Sequence, residues 1–164
     1  MDAIVYTSNT GHTAAYAKLL GERTGLPVYT LAEAAKTLKP GAPILYMGWL
    51  KVSSVVGYKQ AAKKYDVRGV CGVGLCTTGA LLDEVRKAIS LPEHTPLFTL
   101  QGGLDPEKLR GVNKFMIRML TKMMSQKTDR TEGEDQMLSL LLEHGNYVCT
   151  ENLSDVLAWW NKTT

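Results

Sequence analysis

Apolar runs rich in β-branched residues alternate with helical stretches along the first 101 residues, and this alternation restricts the fold more than any other feature. Since parallel strands need crossover connections that cover both faces of a sheet, the pattern predicts an α/β sandwich. Right-handed crossovers leave few strand orders, among them 2-1-3-4-5. The five predicted strands are Ala3 to Thr7, Val28 to Leu31, Pro43 to Gly48, Gly69 to Cys76 and Thr95 to Gln101.

Helices are predicted between several of these strands and again after the fifth strand. The first ends at Gly25 and Pro27, which are typical stop signals. The predicted helices are His12 to Thr24, Val56 to Tyr65, Leu81 to Ile89, Val112 to Gln126, Asp135 to His144 and Leu153 to Trp160. A short extra strand is predicted at Tyr147 to Thr150, so the region of roughly 104–146 reads as a helical insertion after the fifth strand.

Size, composition and charge fit a single domain that spans residues 1–164. The net charge of +3 is too small to indicate nucleic-acid binding. No apolar run approaches the ~20 residues that cross a bilayer. The three cysteines have no close paired spacing, which favours a reducing compartment, so a cytoplasmic location is predicted.

A polar segment between the first strand and the first helix carries the clearest chemical signal. Ligands of open α/β sheets bind at the carboxyl ends of strands, where a helix N-terminus offers free N–H groups to an anion. The hydroxyls and amides here could hold a phosphate without lysine or arginine. The glycine motif of nucleotide-hydrolysing P-loops is absent. Gly72 and Gly74 match the start of a dinucleotide motif, but they lie within a predicted strand and Thr77 stands where the third glycine would be. The segment consists of Ser8, Asn9, Thr10, Gly11, His12 and Thr13.

The order S/T-x-T-G-x-T directly after a first strand resembles the phosphate-binding loop of the flavodoxin family. With the later strand spacing, the resemblance covers residues 1 to about 101. It implies a flavodoxin-like sandwich with a five-stranded parallel sheet, order 2-1-3-4-5, and noncovalently bound FMN. The long segment after the fifth strand looks closest to the branch that contains the flavodoxin-like, quinone-linked protoporphyrinogen oxidases.

The resemblance implies that the flavin ring lies over the ends of the third and fourth strands. Trp49 is the candidate for stacking on the ring, although a buried core position is the alternative interpretation. Gly102 and Gly103 would let a substrate approach the backbone. The residues predicted around the ring are Gly48, Trp49, Leu50, Cys76, Thr77, Thr78 and Gly79.

The predicted function is FMN-dependent redox chemistry, with no catalytic side chain and no metal. Two main classes stay open: an oxidoreductase for a small aromatic, quinone-like or tetrapyrrole substrate, and an electron carrier that docks on a larger redox partner. A binding module that has lost its flavin is a third alternative. His94 and His144 stand alone, without further ligands at metal spacing.

The helix near residues 112–126 carries a methionine-rich face and a basic face. This pattern is compatible with peripheral contact to an anionic membrane or an acidic partner, and also with an ordinary helix that packs its apolar face. Its apolar face could also form a lip for a quinone or tetrapyrrole substrate.

Overall fold

The computed structural model describes residues 1–105, 107–143 and 145–163. These residues include six strands: β1 (Ala3–Thr7), β2 (Val28–Thr30), β3 (Pro43–Lys51), β4 (Ser54–Val55), β5 (Asp66–Gly74) and β6 (Leu97–Gln101). The α-helices are α1 (His12–Thr24), α2 (Leu31–Thr37), α3 (Tyr58–Lys64), α4 (Leu82–Ile89), α5 (Gly111–Gln126), α6 (Glu132–Glu143) and α7 (Ser154–Thr163). A 3₁₀ turn at Glu151–Leu153 precedes α7.

The chain forms a parallel sheet flanked by helices, which confirms the predicted α/β class. The strands follow the order β2-β1-β3-β5-β6, and β4 pairs only with β3, in antiparallel orientation. The sheet therefore has one strand more than the five predicted in the order 2-1-3-4-5. The prediction ended the third strand at Gly48, whereas β3 runs on to Lys51 and turns back at Val52 and Ser53.

Two apolar cores lie on opposite faces of the sheet. Successive strand residues point to opposite faces, so Ile44 and Tyr46 enter one core while Leu45 and Met47 enter the other. Helices α2, α3 and α4 cover the first face, and α1 and α7 cover the second. Because helices cover most of both faces, a ligand site is expected mainly at the ends of the strands.

The segment after β6 packs on the end of the sheet through a third, smaller cluster. Its buried members are Leu104, Leu109 and Leu141, and Ile117 and Met124 of α5 pack against them. No residue of α5 is itself buried. Within the described residues, no helix is both long enough and apolar enough to cross a membrane.

The predicted strand at Tyr147 to Thr150 is wrong. This segment is irregular, with a single bridge between Gly103 and Asn146 beside it. The Tyr147 N–H donates to the Gly102 carbonyl at 2.7 Å, but no further pairing follows. Helix α2 was not predicted, although a capping box between Thr30 and Glu33 starts it.

The Tyr16 hydroxyl ties both ends of the insertion to α1. It donates to the Gln101 carbonyl at the end of β6 and accepts a hydrogen bond from Asn152 Nδ2 at 2.7 Å. The same Asn152 amide donates to the Tyr147 carbonyl at 3.0 Å. Tyr16 is fully buried, so these groups have little water to replace a lost partner.

Tyr16→Phe is expected to lower the free energy of unfolding by about 1–3 kcal/mol, because it leaves buried polar groups unpaired. Tyr65→Phe is the matched control, since the buried Tyr65 hydroxyl has no hydrogen-bond partner among the described residues. That control is expected to be neutral or stabilising. Urea denaturation of the three proteins checks both, and equal destabilisation by the two changes would contradict the account.

Candidate functional site

The loop between β1 and α1 is shaped by a glycine and a serine. Gly11 caps α1 with φ of 100°, in the left-handed region that favours glycine. Its N–H donates to Ser8 Oγ at 3.2 Å, which closes the loop. The following N–H groups belong to the first helical turn, where no earlier helical carbonyl can accept from them. The loop thus presents free donors at a helix N-terminus.

A cavity of about 550 Å³ lies at the carboxyl ends of β3 and β5, beside this loop. This volume is within the range of small-molecule sites. Helix α5 forms one wall, and the turn between β3 and β4 forms part of another. The predicted site residues that line the cavity are Asn9, Thr10, His12, Thr13, Trp49, Leu50, Cys76 and Gly103.

The polar end of the cavity contains one almost completely buried hydroxyl residue. Thr13 is 2% exposed and lines the cavity. Thr10 Oγ1 lies 2.9 Å from His12 Nδ1, so the two side chains are hydrogen bonded. This end combines hydroxyl, imidazole and helix N–H groups, which together suit an anion.

The apolar end of the cavity is built around Trp49 and Leu50. Trp49 is half-buried and lines the cavity, so it is not an enclosed core residue. Leu50 packs over two glycines of β5. A Cβ added at Gly72 would lie 2.8 Å from the Leu50 side chain, and one added at Gly74 would lie 2.9 Å from it. These glycines, which resembled a nucleotide motif, make room for Leu50.

Seven predicted site residues lie outside the cavity lining, namely Ser8, Gly11, Gly48, Thr77, Thr78, Gly79 and Gly102. Ser8 and Gly11 border a second, more open cavity of about 790 Å³ on the other side of the loop.

Contacts within the chain account for several of the residues outside the lining. Gly48 is buried beneath β4 and the residue that follows it, since a Cβ there would lie 2.6 Å from Val55 Cγ1 and from the Val56 carbonyl oxygen. The Gly102 N–H donates to the Gly74 carbonyl. Thr78 Oγ1 accepts from the Gln101 N–H at 3.0 Å.

Two cavity residues that the sequence did not indicate have left-handed backbones. Val52 has φ of 48° and Leu81 has φ of 61°, and both line the cavity. Such a conformation is costly for apolar residues, above all for a β-branched one, and it concentrates at functional sites. Helix α5 adds Met116, Met119, Leu120 and Met123 to the lining.

His12 lies between the polar end of the cavity and the segment after β6. Its Nε2 lies next to Gly103, where a Cβ would be only 2.8 Å away. Burial and then the positive charge of Lys108 lower the pKa of His12, while Asp105 acts in the opposite direction. Asp105 and Lys108 are themselves an ion pair at 2.9 Å.

Within the described residues, the cysteines and His94 form no second chemical centre. Burial raises the pKa of Cys71 and of Cys76, which disfavours the reactive thiolate. Within the described part of the chain, no group of three potential ligands could hold a metal ion. His94 is exposed, and His144 lies outside the described residues.

In comparisons with family models, curated proteins and solved structures, nothing matches this chain. The resemblance to flavodoxins therefore rests on the loop, the strand pattern and the site residues of the chain itself, and it stays a prediction.

The lowered pKa of His12 predicts a pH dependence of stability. Below the ordinary histidine pKa of 6.5 the unfolded chain binds more protons at this position than the folded chain does. The stabilisation by neutral His12 is complete above that pH and is lost as the pH falls through the folded-state pKa. Denaturation between about pH 8 and pH 5 should therefore show wild type losing stability relative to His12→Gln. The exposed His94→Gln is the control, and a pH-independent difference for His12→Gln would contradict the assignment.

Proposed function

We propose that this cavity binds FMN and that the chain is an FMN-dependent redox protein. The observation that carries the proposal is the joining of three surfaces in one cavity. Donors at the start of α1 suit a phosphate, Trp49 suits a planar ring, and apolar residues suit the remainder of an isoalloxazine. Small-molecule sites commonly combine such an apolar lining with a few placed polar groups.

The phosphate would lie at the start of α1, held by neutral donors. The Thr13 hydroxyl would donate a hydrogen bond to the phosphate. Because Thr13 is only 2% exposed, the phosphate would displace little water from this hydroxyl. Thr10 would donate as well, while its oxygen accepts from His12 Nδ1. Asn9 adds a side-chain amide at the same end of the cavity.

The ring would lie between Trp49 and the segment that follows β5. Trp49 offers an aromatic face, and Leu50, Leu75 and Cys76 offer apolar surface around it. The backbone of the Thr77 to Gly79 segment would border the ring from outside this lining.

The strand order supports a flavodoxin-like form of the sandwich. When the two-residue β4 is set aside, the mutually parallel strands follow one another as 2-1-3-4-5. In that topology a ligand is expected outside the carboxyl ends of the central strands. The cavity lies there, beside the ends of β3 and β5.

Bound FMN would supply one- or two-electron transfer, so no side chain of the chain need act as a nucleophile. The protonated thiol of Cys76 would leave that role to the cofactor. The free cysteines are compatible with action in a reducing compartment such as the cytoplasm.

The substrate in this proposal is a small aromatic, quinone-like or tetrapyrrole molecule. Five apolar residues of α5 form one wall of the cavity, and methionine side chains adapt to flat, irregular ligands. An electron carrier that docks on a larger redox protein is the alternative, and it would not need this wall.

Thr13→Val is expected to weaken FMN binding about tenfold or more, because a hydrogen bond to a charged group contributes about 1.5–3 kcal/mol. Thr24→Val changes a hydroxyl at the far end of α1 and is the matched control. Fluorescence titration of the apoprotein with FMN measures both dissociation constants. Equal FMN affinity in wild type and Thr13→Val would contradict the assignment of the phosphate to this loop.

The enzyme and carrier alternatives differ in how reduced protein reacts with a water-soluble quinone. For an enzyme, stopped-flow reoxidation of the FMN-loaded, reduced protein should saturate with quinone concentration. Replacing Leu120 by Trp fills the α5 side of the cavity. The quinone concentration at half-maximal rate should then rise about tenfold or more. Leu142→Trp, on exposed surface of α6, should change nothing. Unsaturable and identical rates in all three proteins would favour the electron carrier.

A further inference from the structure

Helix α5 exposes a continuous apolar face to solvent. The exposed fractions are 70% for Val112, 65% for Phe115, 50% for Met119 and 61% for Met123. Because these residues recur every three or four positions, they share one side of the helix. Contiguous exposed apolar surface of this kind marks an interaction site.

A ligand in the cavity would not cover this whole face. Met119 and Met123 line the cavity, but Val112 and Phe115 do not. The exposed face also continues across the cavity mouth, where Val52 is 83% exposed on the turn after β3. The apolar surface is therefore larger than the cavity requires.

Basic side chains border the apolar face on one side. Lys114, Arg118 and Lys122 recur every four residues, and α5 contains no aspartate or glutamate. Ion pairs within the described residues involve none of the three cations. Arg118 and Lys122 are exposed, so their charges are available to an external anion.

We propose that α5 docks the protein on the surface of an anionic lipid bilayer. Such a surface offers negative headgroups to the cations and acyl chains to the apolar face, which is how amphipathic helices bind membranes. A second copy of the chain with its α5 antiparallel would bring the same basic stripe against itself, and like charges disfavour that contact. Docking places the cavity mouth at the headgroup level. This inference concerns the face beyond the cavity and does not depend on FMN.

Vesicle flotation tests the proposal with the full chain as purified. The vesicles contain either phosphatidylcholine alone or equal parts of phosphatidylcholine and phosphatidylglycerol. Wild type should float with the anionic vesicles and much less with the neutral ones. Arg118→Glu with Lys122→Glu should lower the partition coefficient roughly 25-fold or more. Val112→Ser with Phe115→Ser, which spares the cavity lining, should lower it about tenfold or more.

Matched controls carry the same changes on other surfaces. Lys59→Glu with Lys63→Glu on α3, and Leu142→Ser on α6, alter exposed residues and should float like wild type. Phe115→Trp keeps an aromatic apolar group and should retain binding. The tryptophan emission that this variant gains should be quenched by brominated acyl chains. This quenching reports insertion of α5 even if a serine variant does not fold.

Three results would overturn the proposal. They are no flotation with anionic vesicles, equal flotation of wild type and both α5 variants, and flotation that ignores lipid charge. Sedimentation could instead show a dimer that Val112→Ser with Phe115→Ser abolishes, while the protein binds no vesicles. In that case the apolar face of α5 contacts a second copy of the chain.

Discussion

The burial of both faces of the sheet is the constraint on which the rest of the structure depends. With α1 and α7 on one face and α2, α3 and α4 on the other, most of both faces is covered, and the strand ends offer room for a ligand. The register brings those ends together, because Thr7 pairs with Gly48, Gly48 with Gly72 and Gly74 with Gln101. The segments that follow β1, β3, β5 and β6 must therefore meet at one edge. The cavity is a consequence of parallel pairing, and the Tyr16 hydrogen bonds hold the insertion beside it.

The sequence predicts the regular part of the fold well and its irregular part poorly. Strand β1 and helix α1 have the predicted bounds, because an apolar run, a polar turn and the stop at Gly25 all agree. Helix α2 could have been found from Thr30 and Glu33, which form its capping box. Strand β4 could not, because the turn before it places Val52 at positive φ without the usual glycine or asparagine.

The site shows the same division between local and tertiary information. The β1–α1 loop and Trp49 could be placed from sequence, since strand ends of a parallel sheet share an edge. Gly103, in contrast, is explained by its closeness to the Gly145 carbonyl and His12, a contact that only the folded chain reveals. Val52 and Leu81 were also missed as lining, because their places in the cavity depend on packing between segments distant in sequence. The exposed face of α5 then extends the site toward a surface that the chain itself does not cover.

Identification of the bound cofactor tests the central proposal most directly. The protein, purified without added flavin and then denatured, should release a yellow compound whose mass and emission are those of FMN, in nearly equimolar amount. If cellular FMN is limiting, titration of the colourless protein with FMN should restore the visible flavin spectrum with saturable, stoichiometric binding. A colourless protein that also fails to bind added FMN would contradict the account.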